Sequence, residues 1–227
     1  MPPLLTQVAK RLLLPVAILF AVMVGLGLLL AHLPIGGEDG INRAFEAHRN
    51  PPMNVITGIF SLIGSTPVII GVTALVAIIL RVRLHRWREP LYLCLAVSAQ
   101  ALVFLFTTLV IDRERPAVHK MDDSPPTSSF PSGHTSAAVA LYVGLAFLLF
   151  TMLHHTWAKR LAWLLVLVPI LVALSRLYRG MHHPTDVTAS FLNGCTCVAI
   201  MARNVLNRSV DWAVPDRFRF GSRRVAH

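Results

Sequence analysis

Apolar residues in this chain come in long blocks, at about 12–34, 64–80, 90–111, 133–153, 159–177 and 185–205, rather than at amphipathic spacing. A hydrocarbon layer about 30 Å thick is crossed by roughly 20 apolar residues in a helix. Lipid offers no partner for backbone N–H and C=O groups, so each block must satisfy its own and is predicted to be a transmembrane helix. The expected fold is all-α: a polytopic membrane bundle of six transmembrane helices, forming one domain over residues 1–227. Between the first two blocks the pattern is irregular. Gly36-Gly37-Glu38-Asp39-Gly40 breaks the chain, Ile41, Phe45, Val55, Ile59 and Phe60 alternate with polar residues, and Pro51-Pro52 interrupts any single helix. One or two short interfacial helices are predicted there, with the second span starting near Ser65–Pro67. Loops 81–89 and 154–160 are short and basic. Residues 112–130 form the longest internal polar segment, with Pro116, Pro125 and Pro126.

Composition agrees with the pattern. Of 227 residues 55% are hydrophobic and 14% charged, with a mean hydropathy of +0.62, which leaves no room for a separate soluble domain. The net charge of +10 would fit a nucleic-acid partner only if it were pooled, and it is not. With the N-terminus inside, six helices place 14 basic and 3 acidic residues on the cytoplasmic side, against 7 basic and 8 acidic on the other. That asymmetry is what the positive-inside rule demands, with both termini cytoplasmic. The basic tail, about 206–227 with Arg217, Arg219, Arg223 and Arg224, then reads as a topology determinant in contact with anionic lipid, not as a nucleic-acid site. Short basic loops and a compact plan suit a bacterial cytoplasmic membrane. The first block follows Lys10-Arg11 and ends in His32-Leu33-Pro34 with no small-residue cleavage pattern, so a retained anchor helix is expected. Cys94, Cys195 and Cys197 all lie in apolar blocks and read as packing residues.

Three polar clusters fall on the outer side. In Pro131-Ser132-Gly133-His134 a turn precedes an apolar helix, whose N-terminal N–H groups and dipole make a ready anion site. Ser132 adds a hydroxyl, and His134 is placed to meet a bound phosphate. In Ser175-Arg176…His182-His183-Pro184-Thr185-Asp186 the four-residue spacing of His182 and Asp186 puts an imidazole and a carboxylate on one helical face. A carboxylate on one ring nitrogen fixes the tautomer and sharpens the other as a nucleophile. His183, three residues before Asp186, is an alternative that spacing leaves open. Arg113 and Arg115, beside Pro116, add guanidinium forks that recognise phosphate oxygens. His119, Lys120, Asp122 and Asp123 read as solvated loop residues. The convergence points to phosphoryl transfer.

These clusters resemble the signature motifs of the type 2 phosphatidic acid phosphatase superfamily. Pro-Ser-Gly-His is matched in full at residues 131–134, and Ser-Arg, five residues, His, three residues, Asp is matched by Ser175, Arg176, His182 and Asp186. The resemblance assigns His182 rather than His183. The first motif, Lys, six residues, Arg-Pro, is matched only at Arg115-Pro116, because Thr108 stands at the lysine position; Arg113 matches an arginine of some members. The motifs span residues 108–186. They imply an integral membrane phosphatase of lipid phosphates or diphosphates that needs no metal or cofactor, with a site at the outer membrane surface. His182 would be the nucleophile of a phosphohistidine, Asp186 its orienting group and His134 the general acid and base. Arg115, Arg176 and the Ser132–Gly133 turn would hold the phosphate, with Arg113 supplying the charge missing at Thr108. Undecaprenyl diphosphate, phosphatidylglycerol phosphate and phosphatidate all fit. A lipid phosphotransferase with the same intermediate is an alternative. An anion-binding transporter is another, but it calls for polar residues along a mid-span pathway, and the blocks hold few beyond Gln100 and Asn193.

The charge asymmetry makes a topology prediction. In intact cells, a thiol reagent that cannot cross the membrane should label a cysteine placed at Ser124 and not one placed at Arg86. The reverse pattern would put the three clusters on the cytoplasmic side.

Overall fold

The structure is a computed structural model, and it describes residues 4–206 apart from residue 34 and residues 124–126. Ser124 and the basic tail beyond Leu206 lie outside the described residues. Every regular element described is helical. Six helices are long and apolar enough to span a bilayer: α1 (Leu5–His32), α4 (Thr66–Leu84), α5 (Arg88–Val110), α6 (Gly133–Met152), α7 (Thr156–Tyr178) and α8 (Pro184–Leu206). Two short ones, α2 (Glu38–Ala47) and α3 (Pro51–Ile63), fill the irregular stretch between α1 and α4. All six predicted spans are present.

Local chemistry explains the boundaries. Asn50 caps α3 by accepting from the Met53 N–H at 3.1 Å, and Pro51-Pro52 occupy the first turn, where a missing N–H costs nothing. Ser65 stands at the N-cap of α4 without a side-chain cap hydrogen bond, and Pro67 occupies its first turn. His183 caps α8, with Pro184 in the first turn and the Asp186 carboxylate accepting from the His183 N–H at 2.8 Å.

α5, α6 and α8 form the centre of the bundle. α1 packs against α5 and α8, α4 against α5, and α7 against α6. α3 lies on α7, and α2 bridges α7 and α8. Tyr92, Leu93, Leu141, Leu148 and Val205 are fully enclosed, and the Tyr92 hydroxyl donates to the Gly144 carbonyl at 3.1 Å. Ile18, Ile70, Leu75, Ile78, Leu102 and Leu109 point outward instead, which is where a lipid-solvated bundle leaves its large apolar side chains. The loops after α4 and α6 meet the end of α8 at one pole, where Arg86, Arg88, Glu89, His154 and Leu206 share a cleft. The three polar clusters lie at the other.

Membrane helices associate through close packing, and small residues let backbones approach. Gly194 of α8 is the clearest case: an added Cβ would stand 2.6 Å from the Val139 side chain and 2.9 Å from the Ser136 carbonyl on α6. Gly71 on α4 faces open space. Gly194→Ala should therefore cost on the order of 1–3 kcal/mol of stability and lower the melting temperature in detergent, while Gly71→Ala should not. Equal melting temperatures for the two variants would show that the α6–α8 contact can relax freely.

Candidate active site

The site is assembled at the start of α6, the end of α7 and the start of α8, with residues 111–123 and 127–132 packed beside them. α7 ends in a Schellman turn: Gly180 takes φ +69°, its N–H reaches the Leu177 carbonyl at 3.0 Å, and Met181 N–H reaches the Arg176 carbonyl at 3.0 Å. The turn sends Arg176 and Arg179 back over the helix end and delivers His182 to α8. A side chain at Gly180 would also meet Val118 at 2.7 Å and the His119 carbonyl at 2.9 Å, so the loop sits directly on the turn.

His182 is buried. Its Nδ1 lies 2.8 Å from the Ser129 carbonyl, and a carbonyl only accepts, so the proton is on Nδ1 and Nε2 carries the lone pair. Burial, then the positive fields of Arg176 and Arg115, push its pKa well below the ordinary imidazole value; the Ser129 carbonyl opposes this. The ring is neutral at physiological pH. His182 also uses its own carbonyl, which accepts from Asn42 Nδ2 of α2 at 3.0 Å.

Asp186 is fully buried but does not bond His182 directly: Oδ2 stands 3.9 Å from Nδ1. This corrects the expectation of a direct carboxylate–imidazole hydrogen bond. The Ser129 carbonyl fixes the tautomer, and Asp186 acts one step back. Its Oδ2 accepts from the Ser129 hydroxyl and the His183 N–H, and its Oδ1 accepts from Arg113 Nη1. Ser129 thus faces both residues at once, its carbonyl to the histidine and its hydroxyl to the aspartate.

Arg113 requires a second correction. The residue is buried, with Nη1 on Asp186 Oδ1 and Thr185 Oγ1 (2.9 Å) and Nη2 on Glu38 Oε2 at 2.6 Å. It braces Asp186 and is not presented to a phosphate. Glu38 in turn accepts from the Thr185 N–H and hydroxyl at 2.9 and 2.6 Å. Burial opposes its charge, but Thr185 and Arg113 outweigh it and hold the carboxyl below the ordinary range.

The cations offered to an anion are different ones. Arg115 donates through Nη1 to the Met181 carbonyl at 2.8 Å, and its Nε is buried with no partner. Arg176 is buried, with Nη1 at 2.6 Å from both Ser61 Oγ and Asp122 Oδ2, and its Nε too is unpartnered. His134 is partly exposed, packs beside Gly64 and lies within the electrostatic reach of Arg176, Asp122 and Arg115. Gly133 opens α6, whose first N–H groups have no intrahelical acceptor. The Ser132 hydroxyl is buried against Thr135, 3.0 Å from its Oγ1 and accepting from its N–H at 3.4 Å. It serves the helix cap, a third departure from the expected phosphate contact. His183 turns away, toward the Glu114 carbonyl at 3.3 Å and Asp39 at 3.9 Å. Among the described residues no group of three or more His, Cys, Asp or Glu side chains is arranged to hold a metal ion.

Sequence reading missed Ser129, Glu38, Asp122 and Arg179. Asp122 is no solvated loop residue: Oδ2 pairs with Arg176, and Oδ1 lies 2.8 and 2.5 Å from Arg179 Nε and Nη2. Burial opposes its charge, yet Arg179, Arg176 and Ser61 keep its pKa below the ordinary range. No spacing rule links it to residues more than 50 positions away. Ser129, three residues before the Ser132 cap, was visible as part of a Ser/Thr cluster, but nothing marked its double role.

The sequence profile of the PAP2 superfamily matches residues 89–209, which span α5 to α8 and carry every motif residue. An undecaprenyl-diphosphatase, BcrC, of Bacillus subtilis (strain 168) is 28% identical over 109 residues, 46% of this chain and 52% of that protein. The chain thus spans about half the length of that relative. Phosphatidylglycerophosphatase B of the same organism is 27% identical over 164 residues, 69% of this chain and 77% of that one. The crystal structure of a transmembrane PAP2-type phosphatidylglycerolphosphate phosphatase from Bacillus subtilis shares the fold, with a TM-score of 0.74 and 21% identity over 86% of this chain and 96% of that one. With the family profile covering more than half of its length, this integral membrane protein belongs to the PAP2 superfamily.

Proposed function

We propose that the protein is a metal-independent phosphatase of membrane lipid phosphates that works through a phosphohistidine. The observation that carries this reading is a buried, neutral His182, anchored at Nδ1 and set among two arginines with unpartnered donors. An imidazole held this way is a nucleophile that needs no prior deprotonation.

His182 Nε2 attacks phosphorus, and the N–P bond forms as the P–O bond to the lipid breaks. The electron pair goes to the lipid oxygen, which takes a proton from His134 as general acid. Water then attacks the phosphohistidine, His134 accepts its proton, and phosphate leaves with the N–P electrons returning to His182. Arg115, Arg176 and the N–H groups at Gly133 stabilise the equatorial oxygens in both steps. Asp186 stabilises the imidazolium character that develops on His182, through Ser129 and across 3.9 Å. The charge asymmetry along the chain supports an extracytoplasmic face for this chemistry. The experiment is phosphate release by purified protein from undecaprenyl diphosphate, phosphatidylglycerol phosphate and phosphatidate, with and without EDTA. Release insensitive to EDTA supports the reading, and release from none of the three overturns it.

Variants sharpen the roles. His182→Ala should abolish turnover while His183→Ala leaves most of it, because only His182 is held by Ser129. Asp186→Asn should lose about two to four orders of magnitude, as when the orienting carboxylate of a catalytic triad is neutralised.

Arg113→Ala should behave as the loss of a brace. Breaking one side of a buried pair costs about 3–5 kcal/mol, so the melting temperature and kcat should fall, and Thr108→Lys should not rescue them. A rise in KM alone, restored by Thr108→Lys, would return Arg113 to the phosphate site.

The pH dependence has a fixed sign. His182 stays neutral in the folded protein below its ordinary value of 6.5, so kcat/KM should persist as pH falls through that value and fail only well below it. The unfolded chain takes up that proton first, so His182 should also favour unfolding progressively as pH drops below 6.5. An acidic limb in kcat/KM at the ordinary imidazole pKa would contradict the buried, neutral state.

A further inference from the structure

The Asp122 carboxylate is held as a bound anion would be. Arg176 Nη1 (2.6 Å) and Ser61 Oγ (3.0 Å) meet one oxygen, and Arg179 Nε (2.8 Å) and Nη2 (2.5 Å) meet the other. Both arginine side chains are almost wholly buried, whereas 24% of the Asp122 side chain is exposed. The anion is therefore the accessible partner and the cations are the fixed ones. Arg179 is also held by α3, because Nη1 donates to the Asn54 carbonyl at 3.2 Å and to Thr57 Oγ1 at 3.4 Å. Forks of this geometry accept carboxylate and phosphate alike.

The site also borders the reacting groups. Arg176 is common to it and to His182, and Asp122 acts electrostatically on His134, the acid that meets the leaving group. Ser61 lies three residues before Gly64, against which His134 packs. With Thr108 uncharged and Arg113 occupied by Asp186, Arg179 is a further cation beside Arg176 at the end of α7.

We infer that Arg176 and Arg179 form a second phosphate subsite, filled by Asp122 at rest and taken by the non-reacting phosphate of a lipid diphosphate. The terminal phosphorus then faces His182. When the bridging P–O bond breaks, its electron pair passes to a lipid monophosphate, and Arg179 stabilises the charge that accumulates there. The lipid-linked phosphate carries one charge, as Asp122 does, and gains a second when the bridging bond breaks, so it can take the carboxylate's place with a rotation of a side chain that is only partly buried. This inference rests on the hydrolase reading of the same site, and its test includes an arm that needs no turnover.

That arm is binding of inorganic pyrophosphate to the full-length protein, read from the shift in melting temperature. Removing the competing charge in Asp122→Asn should tighten pyrophosphate binding about tenfold, and Arg179→Gln should weaken it by at least about tenfold, as for one charge-assisted contact. The kinetic arm compares a polyprenyl diphosphate with the monophosphate of the same tail. Arg179→Gln should raise KM about tenfold more for the diphosphate, and Arg179→Lys should recover part of the loss. If Asp122 only pins its loop, Asp122→Asn will bind pyrophosphate no better than the wild type, and the inference falls. Equal effects of Arg179→Gln on both lipids would overturn it as well. Should Arg179→Gln fail to fold, the sign of the Asp122→Asn change decides alone. Absence of phosphate release from every lipid would refute the hydrolase reading while leaving the pyrophosphate result to judge the subsite.

Discussion

A carboxylate with no access to solvent, Asp186, is the constraint around which the rest of the site is arranged. An isolated ionised carboxylate in such a place would cost many kcal/mol or would take up a proton. Here it is met by Arg113, the Ser129 hydroxyl and the His183 N–H, and Arg113 is balanced in turn by Glu38. Each partner comes from a different part of the chain: the start of α2, the first residues after α5, the turn before α6 and the cap of α8. Satisfying one charge thus ties four segments to one point. Such a network gives little net stability, since burial opposes it, but it allows few alternative arrangements. His182 inherits that rigidity, because Ser129 bonds Asp186 with its hydroxyl and His182 with its carbonyl.

The neighbouring arginines raise the opposite problem. A pocket built to hold phosphate must carry several buried cations, and without phosphate those cations are uncompensated. Asp122 answers this for Arg176 and Arg179, while Arg115 leans on the Met181 carbonyl and keeps its Nε unpaired. The buried donors left without partners, Arg115 Nε and Arg176 Nε, belong to the two arginines whose fields reach His182. In the low dielectric under α2 and α3 each contact with a phosphoryl oxygen is stronger than it would be in water. Burial first, and then the fields of Arg176 and Arg115, keep His182 unprotonated, so in the proposed mechanism the charges that bind the anion also favour the free imidazole.

The membrane plan was legible because the bilayer imposes it residue by residue: a span needs an apolar run, and its backbone must close on itself. The placement of α2 and α3 was legible from Gly36–Gly40 and Pro51-Pro52, which forbid a single continuous helix. His134, His182 and Asp186 could be read because two helical crossings return the chain to the same pole. What failed was the assignment of partners inside the loops. Arg113 and Arg115 are two residues apart, yet one reaches Asp186 and Glu38 and the other Met181. Nothing local to the sequence separates those fates. Glu38 and Asp122 look like any exposed acids in a polar segment, and their burial depends on arginines 75 and 54 or 57 positions away. Ser132 was misread for a simpler reason. A serine before a helix has two competing uses, and the buried N-terminus of α6 takes the hydroxyl for its own cap.

The uncharged Thr108 fits this picture better than a lost contact would. Its hydroxyl is buried and unpartnered near the end of α5 and carries no charge. A lysine there would add one more buried cation to a protein that already sets Arg176 and Arg179 against Asp122. Repulsion among those cations would grow, and the neutral state of His182 would come with a less balanced field. Moving the charge to Arg179 changes the geometry of recognition. A guanidinium anchored by Asn54 and Thr57 is a fixed fork at the end of α7, where a lysine on α5 would be a flexible point charge. Its fork opens on Asp122, so in the proposed subsite the extra positive charge would stand where bond cleavage releases negative charge.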